Sequence, residues 1–329
     1  AEWDDVTDAL VANFAALRSL PELPYLRLSG GKDSRLSLAL LQAAGLTDGL
    51  VAVTTGIEES PEVECAAEVA RVVGVEHRRI GPPASSETRP PEFDAATVWR
   101  RLRQHTYRYE GAVSQWDGMN DRLVQTTVNI TGFGGELYKR GSDGRLVDPG
   151  ITTPEAFASA CGPGLDVLGI RRPMIAEYQT RFIDDWISRS LEETHFGSLA
   201  ERWYVDYRLG HWNGPLAQSK PGHITLAPLA SRAAFVKQME LTPQARASQR
   251  LMFEVMIRVS PELAALGFMN DTWPPDLISS SPIPVATKPF PATHEPSPST
   301  MLPWQLRFVQ HEAVEIKRRL DEADAATAI

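Results

Sequence analysis

Tyr25-Leu26-Arg27-Leu28-Ser29-Gly30-Gly31-Lys32-Asp33-Ser34 joins a short apolar run to a glycine pair, and a second pattern with Leu36, Ala39, Leu40 and Ala43 follows and closes at Gly45. The change from an unbroken apolar run to a helical period predicts strand, tight loop and helix. Two glycines at such a junction let the backbone turn sharply and come close to a ligand. The helix that follows offers unpaired N–H groups and the positive end of its dipole, which together favour phosphate. Ser29 and Ser34 add hydroxyl donors. Asp33 would repel phosphate as a direct neighbour, so its place in the loop makes sense as a magnesium ligand beside the phosphates. Two commoner nucleotide signatures are excluded. A G-x-x-x-x-G-K-[ST] loop needs Ser or Thr after Lys32, where this chain has Asp33, and no G-x-G-x-x-G follows the strand.

Ahead of the loop, Val6, Leu10, Val11, Phe14 and Leu17 form a helical stripe over residues 4–18, with Asp4 and Asp5 at its start. Beyond it, Asp48-Gly49 signals a turn before a β-branched run at 50–54. Ser60-Pro61 then opens a helix that stops at Gly74, and a short strand follows at 76–80. This β-α-β-α-β order implies a parallel sheet with right-handed crossovers, so a doubly wound α/β fold is expected. Residues 81–92, with four prolines, read as a surface loop, 95–109 as a helix and 123–131 as a buried strand. From residue 151 onward the pattern is mainly helical, at 176–192, 199–209, 230–240 and 244–259. Residues 273–304, crowded with proline, serine and threonine, read as a long loop, either mobile or ordered over a site. A last amphipathic helix is expected at 306–320. The expected division is 1–150 as a nucleotide-binding α/β core and 151–329 as its largely helical continuation.

With 43% hydrophobic and 23% charged residues among 329, the chain has the apolar surface of a globular protein. A net charge of −9 argues against nucleic-acid binding, which normally rests on a basic surface. Cys65 and Cys161 form no CxxC pair, so neither a structural zinc site nor a disulfide framework is expected, and a reducing cytoplasm suits the chain. No apolar run of about 18 residues suggests a membrane span, and the first residues lack the pattern of a signal peptide.

The S-G-G-x-D-S pattern at a strand-to-helix turn resembles the loop of the N-type ATP pyrophosphatases. That family includes asparagine synthetase, β-lactam synthetase, GMP synthetase and several tRNA-modifying ligases and sulfur transferases. The resemblance implies an adenine nucleotide alpha hydrolase-like fold and cleavage of ATP between its α- and β-phosphates, giving an adenylated substrate and pyrophosphate. Thr131-Gly132-Phe133-Gly134-Gly135-Glu136-Leu137-Tyr138, about 100 residues further on, is similar to the second motif of the asparagine synthetase and β-lactam synthetase branch. The resemblance implies Asp33 and Glu136 as magnesium ligands and catalytic carboxylates. It implies ATP or pyrophosphate contacts at Leu28, Ser29, Gly30, Gly31, Lys32, Asp33, Ser34, Thr54, Thr55, Gly132, Phe133 and Gly134. Separated carboxylates suit the role, because charge on the departing pyrophosphate needs neutralising from both sides.

Residues 206–219 and 226–232 resemble the helical part of the synthetase domain and its R-x-P-F-L-D segment, with Ser231 near the place of the final Asp. Thr287-Lys288-Pro289-Phe290 resembles the stretch around the family's active-site lysine, which implies Lys288 as the catalytic cation, with Lys220 as its rival. Phe133 stands where β-lactam synthetase has a catalytic tyrosine and asparagine synthetase an acidic residue. A phenyl ring exchanges no proton, so the general base is sought among Glu110, Glu177, Asp206, His211 and Glu254. His211 is expected to pack among Trp203, Tyr207 and Trp212 instead. Asparagine synthetase carries a glutaminase domain ahead of this loop, where only a short stretch stands here. Either ammonia is not produced in this chain, or that domain belongs to a further portion of the protein. The favoured expectation is a stand-alone synthetase domain, with a separate glutaminase or ammonia source possible.

The expected activity is AMP-forming amide ligation with ATP and magnesium. A small-molecule or peptide carboxylate is adenylated and its acyl group passes to an amine, giving an amide or lactam, with no nucleic-acid or membrane partner. One alternative is a tRNA- or sulfur-modifying ATP pyrophosphatase, which calls for a basic surface or a reactive cysteine. The other is a nucleotide-binding homologue without turnover, which Phe133 and the missing Asp near Ser231 motivate.

Overall fold

A computed structural model describes residues 3–56, 60–81, 127–139, 152–161, 180–193, 199–203, 205–206, 223–293 and 318. In chain order, α1 (Asp4–Ala15) runs through a 3₁₀ turn (Ala16–Ser19) into β1 (Tyr25–Arg27), α2 (Lys32–Ala43), β2 (Val51–Thr55), α3 (Pro61–Val73) and β3 (Glu76–Ile80). There follow β4 (Thr127–Ile130), a 3₁₀ turn (Gly135–Tyr138), α4 (Pro154–Cys161), a π-helix (Phe182–Ile187), α5 (Ser188–Glu193) and α6 (Leu199–Trp203). The last elements are β5 (His223–Leu226), α7 (Arg232–Glu240), α8 (Pro243–Ala247), α9 (Arg250–Val259), α10 (Pro261–Ala265) and α11 (Pro275–Ser280). Chain contacts define two units, one of residues 1–87, 93–142 and 203–296, the other of 88–92, 143–202 and 297–329. In the second unit Phe182, Trp186 and Phe157 form a stacked row, with centroids 5.1 and 6.2 Å apart.

Among the described residues of the first unit, five parallel strands make one sheet in the order β3-β2-β1-β4-β5. The α/β class and parallel pairing follow the expectation from sequence. So do the boundaries of α3, where Ser60 Oγ accepts from Val63 N–H, Pro61 takes the first turn, and Gly74 closes the helix at φ 79°. The strand order reverses beside β1, whose neighbours are β2 on one side and β4 on the other. Both glycine-rich motifs leave the sheet at the C-terminal ends of these adjacent strands, Ser29 to Ser34 after β1 and Thr131 to Glu136 after β4.

Helix α2 fixes the loop because it is buried on nearly every side. Ser34, Arg35, Leu36, Ser37, Leu38, Ala39, Leu40 and Leu41 are all buried, and the helix packs against β1, α1 and α9. A helix enclosed in this way needs apolar side chains around its whole circumference, which the run from Leu36 to Leu41 supplies. Leu10 and Phe14 of α1 join Leu26, Ala52 and Ile130 of the sheet and Leu251, Met252, Phe253, Val255 and Met256 of α9 in the same core.

Three segments differ from the sequence reading. β5, in a region read as helical, pairs along β4 from Thr127 opposite His223 to Ile130 opposite Leu226, so the α/β core extends beyond residue 150. Four residues are too few to establish a period, and pairing with a neighbouring strand decides their state. The helix expected at 244–259 is two helices, α8 and α9, divided at Gln249, whose φ of 62° lies in the left-handed region. Within the expected loop at 273–304, residues 275–280 form α11, and the chain then lies along 264–268, with Ala286 N–H donating to Ala265 O at 3.0 Å and Phe290 N–H to Phe268 O at 2.8 Å. The expected helices at 95–109 and 306–320 fall outside the described residues, apart from helical Arg318.

The segment 266–273 is tied to α2 by two buried cations. Arg35, fully buried, donates to Leu266 O and Gly267 O at 2.8 Å each and lies 4.1 Å over the Phe268 ring. Burial pulls its guanidinium down to about 10, which leaves it charged at neutral pH. Lys32 reaches Asp271 Oδ2 at 2.5 Å and Thr272 O at 2.9 Å, above the edge-to-face pair of Phe268 and Trp273. Replacing Arg35 by Met strips the half-buried Leu266 and Gly267 carbonyls of their charged donor, a loss of about 1.5–3 kcal/mol at most for each such hydrogen bond. Urea unfolding of Arg35→Met should show this loss, and hydrogen exchange should show faster opening at Met269 N–H, which donates to Gly30 O. Unchanged stability would mean that Arg35 does not anchor the segment.

Candidate functional site

The loop after β1 is shaped by its two serines. Ser34 Oγ accepts from Ser29 N–H at 3.0 Å, the two hydroxyls lie 2.8 Å apart, and Ser29 Oγ accepts from Gly31 N–H at 3.3 Å. Helix α2 then starts at Lys32 with no side chain capping its first turn. Its first amides are thus available to an anion. Gly30 faces Met269, and a Cβ there would sit 2.6 Å from Met269 Cβ.

The second motif closes directly upon the first. A Cβ on Gly132 would lie 2.8 Å from Ser34 N and 2.9 Å from Asp33 Cβ, and one on Gly135 would lie 2.6 Å from Asp33 Oδ1. Contacts this short leave room for glycine alone. Gly134, at φ 93°, carries the turn past Ala230. Tyr138 is buried and donates its hydroxyl to Leu229 O. Ser231, near the place of the missing Asp, accepts from Ala234 N–H and caps α7.

Asp33 and Glu136 are brought into electrostatic contact by this packing. Burial pushes the Asp33 carboxyl above its ordinary range, against the pull of the Lys139 ammonium. Burial also raises Glu136, and the charge of Asp33 raises it further, while Gly134 N–H steadies Glu136 Oε2 at 3.1 Å. Lys139 Nζ lies 2.7 Å from Asp33 Oδ2, and Asp33 Oδ1 is buried without a hydrogen-bond partner among the described residues. An orphaned carboxylate oxygen of this kind is costly until a donor or cation reaches it. Among the described residues no group of three or more His, Cys, Asp and Glu side chains forms a metal site by itself. Two carboxylates with one vacant oxygen fit a magnesium ion that takes its other ligands from phosphate and water.

The remaining expected residues divide. Leu28 is buried under the loop, and Thr54 is buried with its hydroxyl donating to Leu28 O at 2.9 Å and lying 2.8 Å from His77 Nε2. Thr55 and Gly31 are exposed, and Phe133 is half-buried with its N–H donating to Thr131 Oγ1. Lys32 is buried with its ammonium engaged by Asp271. Lys288 is exposed, and its carbonyl packs on Gly267, beside the segment that Arg35 holds. Glu254 is engaged by Arg250 at 2.5 Å and Arg258 at 2.6 Å. Asp206 is exposed. Glu110, Glu177, His211 and Lys220 lie outside the described residues. Two contributors escaped the sequence reading. Lys139 had a signal, a basic residue just after Glu136, whereas nothing local in 266–273 marks it as a wall of the loop.

No model of a known protein family matches the chain, and no curated protein matches it significantly.

A carboxyl whose pKa is raised by folding favours the folded state when protonated, and that contribution is lost as pH rises through the folded value. Glu136 thus weakens the ligand-free protein at neutral pH. Glu136→Gln keeps an acceptor for Gly134 N–H and should melt above wild type at pH 7, with the gap closing as pH falls below about 4. Coincident melting curves at pH 7 would exclude this strain.

Proposed function

We propose that this chain is an ATP-dependent, AMP-forming ligase of the asparagine synthetase and β-lactam synthetase type, built on a doubly wound, adenine nucleotide alpha hydrolase-like sheet. It adenylates a carboxylate and passes the acyl group to an amine. One observation carries the proposal: Asp33 of the S-G-G-K-D-S loop and Glu136 of the second glycine-rich turn meet at the ends of adjacent strands where the sheet order reverses, with Asp33 Oδ1 unpartnered. In open parallel sheets that reversal is where ligands bind.

The residues divide the work by their chemistry. The amides at the start of α2 and the Ser29 and Ser34 hydroxyls receive the phosphates, and Gly132 and Gly135 let the second turn approach them. Asp33 and Glu136 would hold magnesium, which supplies charge neutralisation for the departing pyrophosphate. A substrate carboxylate oxygen attacks the α-phosphorus, and the α,β-bridging bond breaks with its electrons leaving on pyrophosphate. The amine then attacks the acyl carbon, AMP departs with the carbon–oxygen bonding pair, and the nitrogen sheds a proton. Lys288, on the segment held beside the loop, supplies a cation for the charge that develops at the reacting centre. The cytoplasm suits these substrates.

A tRNA- or sulfur-modifying activity finds less support. Burial pushes the Cys65 thiol up, the reverse of an activated nucleophile, and the net charge is −9. Nucleotide binding without turnover is the second reading, favoured by the ammonium already seated on Asp33 and by the aprotic Phe133.

ATP labelled at the α-phosphate, offered with carboxylate and amine pools, should yield AMP and pyrophosphate. Asp33→Asn should remove that release, and Lys288→Met should lower kcat by about 10²–10³ with little change in ATP binding. Products limited to ADP and phosphate would refute the proposal, and calorimetric ATP binding without any pyrophosphate would select the second reading.

A further inference from the structure

Lys139 follows the 3₁₀ turn that carries Glu136, and its ammonium forms the ion pair with Asp33 described above, the two side chains being only 23% and 22% exposed. The pair therefore sits in partial shelter, where a charge-assisted hydrogen bond is stronger than at an open surface. It occupies one oxygen of the carboxylate to which the ATP-site reading assigns a metal, while the other oxygen, Oδ1, lacks a hydrogen-bond partner among the described residues. Glu136, close enough to feel both Asp33 and Lys139, has Oε2 committed to Gly134 N–H. Among the described residues, Lys139 is the ammonium hydrogen-bonded to this carboxylate pair, while the charge of Lys32, itself paired with Asp271, acts on Asp33 without such a bond.

We propose that Lys139 is a tethered competitor for the divalent cation, holding Asp33 in the ligand-free protein so that metal is accepted together with a polyphosphate and poorly by itself. The inference rests on the ATP-site reading. A cation fixed to the chain beside its partner acts at a high effective concentration, which a free ion must overcome. A polyphosphate changes the balance, because its oxygens offer the displaced ammonium a new anion and give the metal further ligands. Lys139 would then set the order in which ligands bind, and Asp33 would stay neutralised and positioned before nucleotide arrives.

The probe is Mn²⁺ alone, titrated into the full chain and followed by the electron paramagnetic resonance signal of the free ion, with no turnover required. Lys139→Met should bind Mn²⁺ about tenfold more tightly than wild type, the loss of one charge-assisted hydrogen bond. Lys139→Arg, which keeps the cation, should remain weak, and adding Asp33→Asn to Lys139→Met should abolish the gain. Lys139→Gln, which can still donate to Asp33, takes the place of the methionine variant if that variant is unstable. With inorganic tripolyphosphate present, the gap between wild type and the neutral variant should narrow or vanish. Equal Mn²⁺ affinities in wild type and the neutral variants, or a gap that tripolyphosphate leaves unchanged, overturns the proposal. Failure of the ligase reading would appear separately, as ATP that yields no pyrophosphate.

Discussion

The close approach of two glycine-rich turns governs the rest of the first unit. Gly132 and Gly135 stand against Asp33 at distances that admit no side chain, and that contact joins residues about 100 positions apart in sequence. Everything around it serves to hold the two turns still. Parallel pairing of Tyr25 with Asn129 and Leu26 with Ile130 sets the strands beneath them in register. Helix α2, enclosed by core side chains, fixes the direction in which Asp33 leaves the loop. Tyr138 and Gly134 lock the second turn onto the 227–231 segment from the other side.

The same contact sets the electrostatics. Two carboxylates with raised pKa values lie close enough to repel at a partly buried junction, which costs free energy unless cations answer them. Among the described residues Lys139 is the cation hydrogen-bonded to Asp33, and it reaches only one of its oxygens. Lys32, though part of the loop sequence, answers Asp271. This division has a structural reason. An ammonium placed over Phe268 and Trp273 and paired with Asp271 fastens the 266–273 segment.

Much of this was legible in the sequence wherever a local pattern carried it. The strand, glycine pair and helix from Tyr25 onward, the Ser60-Pro61 start and Gly74 stop of α3, and the placing of Glu136 on a turn after a buried strand all rest on short-range chemistry. What stayed hidden depends on distant partners. β5 is a strand because β4 lies beside it, and Ile224 within it is half exposed, so no apolar alternation announces it. The wall at 266–273 follows from Arg35 reaching across more than 200 positions to two carbonyls. Lys32 was legible as a loop residue but not as a buried one, since only the fold reveals that Asp271 awaits it.

Phe133 marks where the resemblance and the geometry must be weighed separately. Its N–H is engaged by Thr131 Oγ1 and its ring is half-buried, so its visible contribution is to the shape of the turn. With no proton to exchange there, and with Glu254 held between two arginines, neither residue is placed to serve as a base. Adenylation itself needs no base, because the attacking carboxylate is already ionised at neutral pH. In the proposed reaction the demand would fall on the second step alone, where the amine nitrogen must lose a proton. On the proposed ligase reading, the described part of the site would serve phosphate binding and charge neutralisation, and the choice of acyl acceptor would fall to side chains beyond these two motifs.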